Sequence, residues 1–165
     1  MDEIAKLIED LYAVEHILSA LQKKPNEYAG VSLYANETHT LKLIADNEGI
    51  SQAEVSERMY RTKGATSVMV DKLVKKGLVN REREEGNQRR YLLTLTEKGW
   101  TVNGAHREYD DNHAAWVTRN LDISEEDLQT TRKTLDDVIG FYSRHYLKEG
   151  KAVVPDREES GRGQQ

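Results

Sequence analysis

One stretch of the chain leaves few choices of fold. Ser51-Gln52-Ala53-Glu54 is a capping box, in which serine and glutamate side chains satisfy each other's orphan backbone donors. A helix therefore starts there and runs through Met59. After a turn at Tyr60-Arg61-Thr62, Thr62 is placed to cap a second helix over 63–76. That helix stops at Gly77, the residue type best suited to a left-handed helix end. Two runs rich in strand formers follow, 78–83 and 90–96, with Glu84-Glu85-Gly86-Asn87-Gln88-Arg89 as a hairpin tip between them. Two helices joined by a tight turn, with a β-hairpin directly after the second, outline a winged helix-turn-helix.

The flanks are helical. Ile4, Leu7, Ile8, Leu11, Val14, Ile17, Leu18 and Leu21 recur three and four apart, a long amphipathic helix that ends before Pro25. Residues 25–34, with Pro25, Asn26, Gly30 and Ser32, read as a loop. Leu41, Leu43, Ile44 and Ala45 mark a second helix, closed by Asn47 and Gly49. From Thr96, the apolar positions Trp100, Val102, Ala105, Tyr109, Trp116 and Val117 predict another long helix. Ser124 caps a last one, with Leu128, Leu135, Val138, Ile139, Tyr142 and Tyr146 on one face. Only 37% of the residues are hydrophobic, so some of this apolar surface is expected to be buried between two copies. The fold class is therefore mainly α with a small β-hairpin wing (α+β), a winged helix-turn-helix with long terminal dimerisation helices.

The net charge of −5 argues against nucleic acid only as an average. Residues 51–100 hold 11 of the 24 Lys and Arg but 7 of the 29 Asp and Glu. A basic middle between acidic flanks is an electrostatic footprint. Within helix 63–76, Met69, Val70, Leu73 and Val74 share one side, with Thr66 one turn before them. Lys63, Gly64, Ser67, Val68, Asp71 and Lys75 fall wholly or partly on the other side. Small residues let a helix approach the floor of a major groove, where a serine exchanges hydrogen bonds and a valine touches a thymine methyl. Lys63 is placed for a phosphate or a guanine edge, and Lys72 and Lys75 for the DNA backbone. The same pattern also describes a core helix with a solvated basic face. In the hairpin, Arg81, Arg83, Arg89 and Arg90 suit phosphates, while the interleaved Glu82, Glu84 and Glu85 allow the arginines to pair within it.

Residues 36–99 resemble the core of the MarR (multiple antibiotic resistance regulator) family. The resemblance is carried by Ile50-Ser51-Gln52-Ala53-Glu54-Val55-Ser56-Glu57-Arg58, Thr62-Lys63-Gly64-Ala65, Asp71-Lys72-Leu73-Val74-Lys75-Lys76-Gly77-Leu78-Val79 and Leu95-Thr96-Glu97-Lys98-Gly99. It implies a homodimer whose first and last two helices interlock, recognition helices in successive major grooves of double-stranded DNA, and wings in the neighbouring minor grooves. It further implies a repressor of its own or adjacent genes, released when a small-molecule inducer, a metal or an oxidant binds. On that pattern, residues 1–34 are an N-terminal dimerisation helix and loop, 35–99 the DNA-binding domain, 100–149 the C-terminal dimerisation helices, and 150–165 a polar, disordered tail. The expected DNA contacts are Thr62, Lys63, Gly64, Thr66, Ser67, Val68, Lys72, Arg83, Arg89 and Arg90. The family's wing usually carries Asp-x-Arg; here Asn87-Gln88-Arg89 stands in its place, with Arg81 as the expected partner of residue 87.

The absence of cysteine excludes disulfides and thiol sensing. Tyr12, His16, His39, Tyr109, His113 and Trp116 are candidate inducer contacts, or plain core and interhelical residues. His106, Asp110 and His113 share a helix face and are weak metal candidates against ordinary hydrogen bonding; no cofactor is expected. None of the phosphate-loop, nucleophile-elbow, zinc-protease or dinucleotide motifs is present, so the chain is not expected to be an enzyme. It shows no signal peptide and no apolar run near membrane length, so a cytoplasmic protein without membrane contact is expected. A winged-helix dimer that binds protein instead of DNA is the alternative reading.

Overall fold

Asp2 accepts a hydrogen bond from the Ile4 backbone N–H and opens α1, Glu3–Leu21. This computed structural model describes residues 2–147; the expected tail at 150–165 and the side chain of Tyr146 lie outside the described residues. The chain forms two units, one reaching to Val117 and the other starting at Thr118.

The segment expected as a loop folds into a small antiparallel hairpin, β1 (Asn26–Tyr28) with β2 (Val31–Leu33). Ala29 and Gly30 turn it at φ of 48° and 76°. Strands of three residues are too short to show alternation, yet Tyr28 and Leu33 are both buried in the core. Next, α2 (Ala35–Ala45) buries Leu41 and Ile44, and the Tyr34 N–H ahead of it donates to Glu37. Ile50–Ser51 form a short strand, β3, which sequence reasoning absorbed into the helix start. It pairs with β5 (Asn87–Leu95), which pairs with β4 (Val79–Glu84), giving the antiparallel order β3-β5-β4.

Between β3 and β4 come α3 (Gln52–Arg58) and α4 (Lys63–Lys75), each with its expected cap, Ser51 and Thr62. Gly77 ends α4 at φ 71°, the left-handed conformation that only glycine adopts freely. The core sits between these elements: Leu33, Leu41, Ile44, Val55, Val70, Leu73, Leu78, Leu93 and Val102 are buried together. Then α5 spans Glu97–Asn120; in the second unit Ser124 caps α6, Glu125–Tyr142, followed by a π-helical turn, Ser143–Leu147. Neither α1 nor α6 has a buried residue, although Ile4, Val14, Ile17 and Leu21 on one and Leu128, Ile139 and Phe141 on the other are large and apolar. No helix among the described residues is long and apolar enough to cross a membrane.

Candidate nucleic-acid interface

The N-terminal half of α4 is presented to solvent. Thr62 is committed to the helix, its hydroxyl accepting the Ala65 N–H at 3.2 Å. Lys63, Gly64 and Val68 are exposed, Val68 at 57%, and Ser67 is half-buried. A Cβ added at Gly64 would meet nothing within 4 Å, so the protein's own packing does not require the glycine. Lys72 is exposed one turn after Val68. Thr66 corrects the expectation that it reads DNA. It shares the inward side with Val70 and Leu73, and at 1% exposure its side chain is offered to the core.

The wing is more closely turned than its sequence implied. Only Glu85 and Gly86 separate the strands, with Gly86 at φ 78°. The register then jumps between Arg83 and Glu84: Arg83 pairs with Tyr91, and Glu84 with Asn87. Arg89 and Arg90 fall in this irregularity, and a bulge of this kind re-aims side chains away from the ladder. Arg90 is held between Glu84 at 3.1 Å and Glu54 at 3.3 Å. The Ser51 hydrogen bonds, and then Arg90, hold the Glu54 carboxyl below its ordinary range, so this brace persists in mildly acidic solution. Arg81 does not pair with Asn87, which corrects the expectation that it partners residue 87. It reaches Asp71 on α4 at 2.6 Å instead, while the Asn87 amide oxygen accepts the Arg89 backbone N–H at 3.2 Å. The guanidinium groups of Arg81 and Arg83 lie 5.4 Å and 5.7 Å from the Tyr91 ring centre, within cation–π range.

These elements meet at an open groove of about 310 Å³. It is lined by Gln52, Ala53 and Ser56 of α3, Lys63 of α4, and Asn87, Arg89, Arg90 and Tyr91 of β5. Lys63 and Arg89, remote in sequence, thus share one site. Sequence reasoning missed Gln52 and Tyr91, whose position follows only from the pairing of β3 with β5. It also missed Arg61, which donates to Asn36 at 2.8 Å and Thr40 at 3.2 Å and ties the turn before α4 to α2.

The proposed sensor residues divide into groups. On α5, the Tyr109, His113 and Trp116 rings stack in succession, 6.4 Å and 6.1 Å apart. Tyr28 meets both His106 and Tyr109 edge-on, and His39 lies 6.1 Å from His106. Tyr12 and His16 are exposed on α1, where His16 faces Glu15. No group of three or more potential ligands is set to hold a metal among the described residues, which corrects the trio of His106, Asp110 and His113. His106 and Asp110 do meet, at 3.4 Å, but His113 is two turns from His106 and stacks between Tyr109 and Trp116.

His106 is 2% exposed, and burial pushes its pKa below the ordinary 6.5 in spite of the Asp110 charge. Burial alone would raise the Asp110 carboxyl, but the Lys42 hydrogen bond at 2.9 Å and nearby His106 outweigh it and lower it. In acid the unfolded chain therefore takes up the histidine proton first. The stability this neutral ring contributes is complete above about pH 6.5 and is lost as the pH falls below it. Urea midpoints measured between pH 7.5 and 5 are expected to fall, and His106→Gln to flatten that fall. An unchanged slope in the variant would assign the acid sensitivity elsewhere.

The model of the MarR family matches residues 33–91. The transcriptional regulator HosA of Escherichia coli is 30% identical over 98 residues, 58% of this chain and 73% of that protein. The HTH-type transcriptional regulator SarZ of Staphylococcus epidermidis is 26% identical over 108 residues, 66% of this chain and 68% of that protein. Among solved structures, the transcriptional regulator SlyA superposes with a TM-score of 0.73 at 18% identity, covering 88% of this chain and 99% of its own. FabT of Streptococcus pneumoniae gives 0.65 at 24% identity, covering 86% and 99%.

Proposed function

This chain belongs to the MarR family, and from that premise we propose that it is a DNA-binding transcription regulator, a homodimeric repressor that acts by binding rather than catalysis. The observation that carries this reading is the exposed start of α4 (Lys63, Gly64, Val68) beside a groove that it shares with Arg89 of the wing. With Lys63–Lys75 in the major groove, Val68 and Ser67 face bases, and Lys63, Lys72, Arg83 and Arg89 face phosphates, whereas Arg90, expected as a DNA contact, is taken up by Glu54 and Glu84. Thr62 serves by capping the helix with its hydroxyl, and Gly64 by allowing close approach. FabT and the MepR of S. aureus were solved with DNA, which supports this docking. In this reading residues 35–99 bind DNA, while 1–34 and 100–149 pair with a second copy that covers the apolar faces of α1 and α6 and makes the operator an inverted repeat. An inducer held near Tyr109, His113, Trp116 and His39 fits the solution of PcaV with its natural ligand. The proposed location is the cytoplasm.

The test is titration of the protein against its own upstream DNA at 50 and 200 mM salt, with and without zinc or aromatic acids. A dimer that saturates a short inverted repeat, binds less tightly in high salt and is released by an inducer is the expected result. Lys63→Ala combined with Arg89→Ala should weaken binding to every sequence alike and flatten its salt dependence. Unchanged affinity and slope in that double variant would sink the docking.

A further inference from the structure

Lys63 and Arg89 line one groove, and the charges around it are nearly balanced. Arg90 is committed to Glu54 and Glu84, a trio with one negative charge left over. Lys63 and Arg89 have no such carboxylate partner among the described residues, and with them the groove keeps about one positive charge. Ser56 is committed too, its hydroxyl donating to the Gln52 backbone oxygen at 3.1 Å. The Gln52 side-chain oxygen, in contrast, is buried without a hydrogen-bond partner.

We propose that this groove is a seat for a single, singly charged phosphate group, held jointly by Lys63 and Arg89. The proposal rests on the DNA-binding reading, in which the occupant is one backbone phosphodiester whose charge matches that of the groove. It differs from separate contacts to two phosphates in its consequence. Salt dependence counts phosphates neutralised, not cations supplied. If both side chains neutralise one phosphate, either alone still neutralises it, and only the loss of both frees it.

The experiment compares salt slopes of DNA binding for the wild-type protein, Lys63→Gln, Arg89→Gln and the double variant. The expected result is weakened binding but a near wild-type slope in each single variant, with a flattened slope in the double variant. Single variants that each lose about half of the double variant's slope would overturn the shared seat and leave the DNA-binding reading intact. A double variant that keeps the wild-type slope and affinity would overturn both. A parallel arm measures the melting temperature with inorganic phosphate against chloride at equal ionic strength. A rise in the wild-type protein that the double variant lacks means that the seat also accepts free phosphate. Slopes of the expected form without such a rise mean that it holds phosphate only within a DNA backbone. If the wild-type protein binds no DNA even at low salt, that rise alone sustains the seat, and its absence overturns it.

Discussion

Lys76→Met is expected to destabilise the protein by about 2–4 kcal/mol, because it leaves a buried carboxylate without its cation. Glu37 is 3% exposed, and its two oxygens are both used: one accepts the Lys76 ammonium at 2.8 Å, the other the Tyr34 N–H at 2.9 Å. Lys76 also donates to the Ser32 carbonyl at 3.0 Å, so one side chain pins the end of α4 to β2 and to the start of α2. The ammonium is partly solvated, with a third of its side chain exposed, which places the loss toward the lower part of the range usual for broken buried pairs. Methionine keeps most of the aliphatic stem, so the effect reports charge rather than a cavity. Urea denaturation gives the loss directly. Adding Glu37→Gln should recover a large part of it, since a neutral amide costs less to bury and its carbonyl still accepts the Tyr34 N–H. If the double variant were as unstable as Lys76→Met alone, the charge of Glu37 would not be the cause.

That pair also shows what a sequence conceals. The caps of α3, α4 and α6, the glycine at the end of α4 and the hairpin after it are local chemistry, in which a side chain acts on its own backbone, so they are legible in order. Glu37 and Lys76 read as ordinary solvated charges on two amphipathic helices, and only tertiary packing brings them together. The same holds for the candidate interface. Lys63, Val68 and Arg89 were legible as exposed, because each lies opposite an apolar face or in a turn. The groove they share was not, since it depends on β3, two residues long, holding α3 against β5. Thr66 was misjudged for a simple geometric reason: its position four residues before Val70 places it inward, whatever its hydroxyl suggests. Arg81 was misjudged because Asp71, its nearer partner, lies on another element.

Gly99→Ala is expected to cost about 3 kcal/mol or more, the opposite of the gain that alanine normally brings to a helix. A Cβ at position 99 would stand 2.0 Å from the Leu78 carbonyl oxygen, 3.0 Å from its carbon and 3.2 Å from Leu95 Cγ. Two of these are backbone atoms with little room to yield. The Leu78 oxygen accepts the Thr96 N–H at 3.1 Å, and the Leu78 N–H donates to the Leu73 carbonyl at 3.0 Å. Around this contact Thr96 joins both corners, donating its hydroxyl to the Gly77 carbonyl at 2.7 Å and accepting the Gly99 N–H at 2.9 Å. The Lys98 ammonium adds a bond to the Lys76 carbonyl at 2.9 Å. The end of α4 and the start of α5 are thereby locked at a distance only a residue without a side chain permits, and the wing springs from the same corner. Gly104, on the same helix with nothing within 4 Å of an added Cβ, is the internal control. Gly104→Ala should gain about 0.5–1 kcal/mol from helix propensity. Thermal melts of the two variants should therefore move in opposite directions from the wild-type protein. A Gly99→Ala protein as stable as Gly104→Ala would mean that the corner relaxes freely, and that the approach of α5 to Leu78 does not fix the base of the wing.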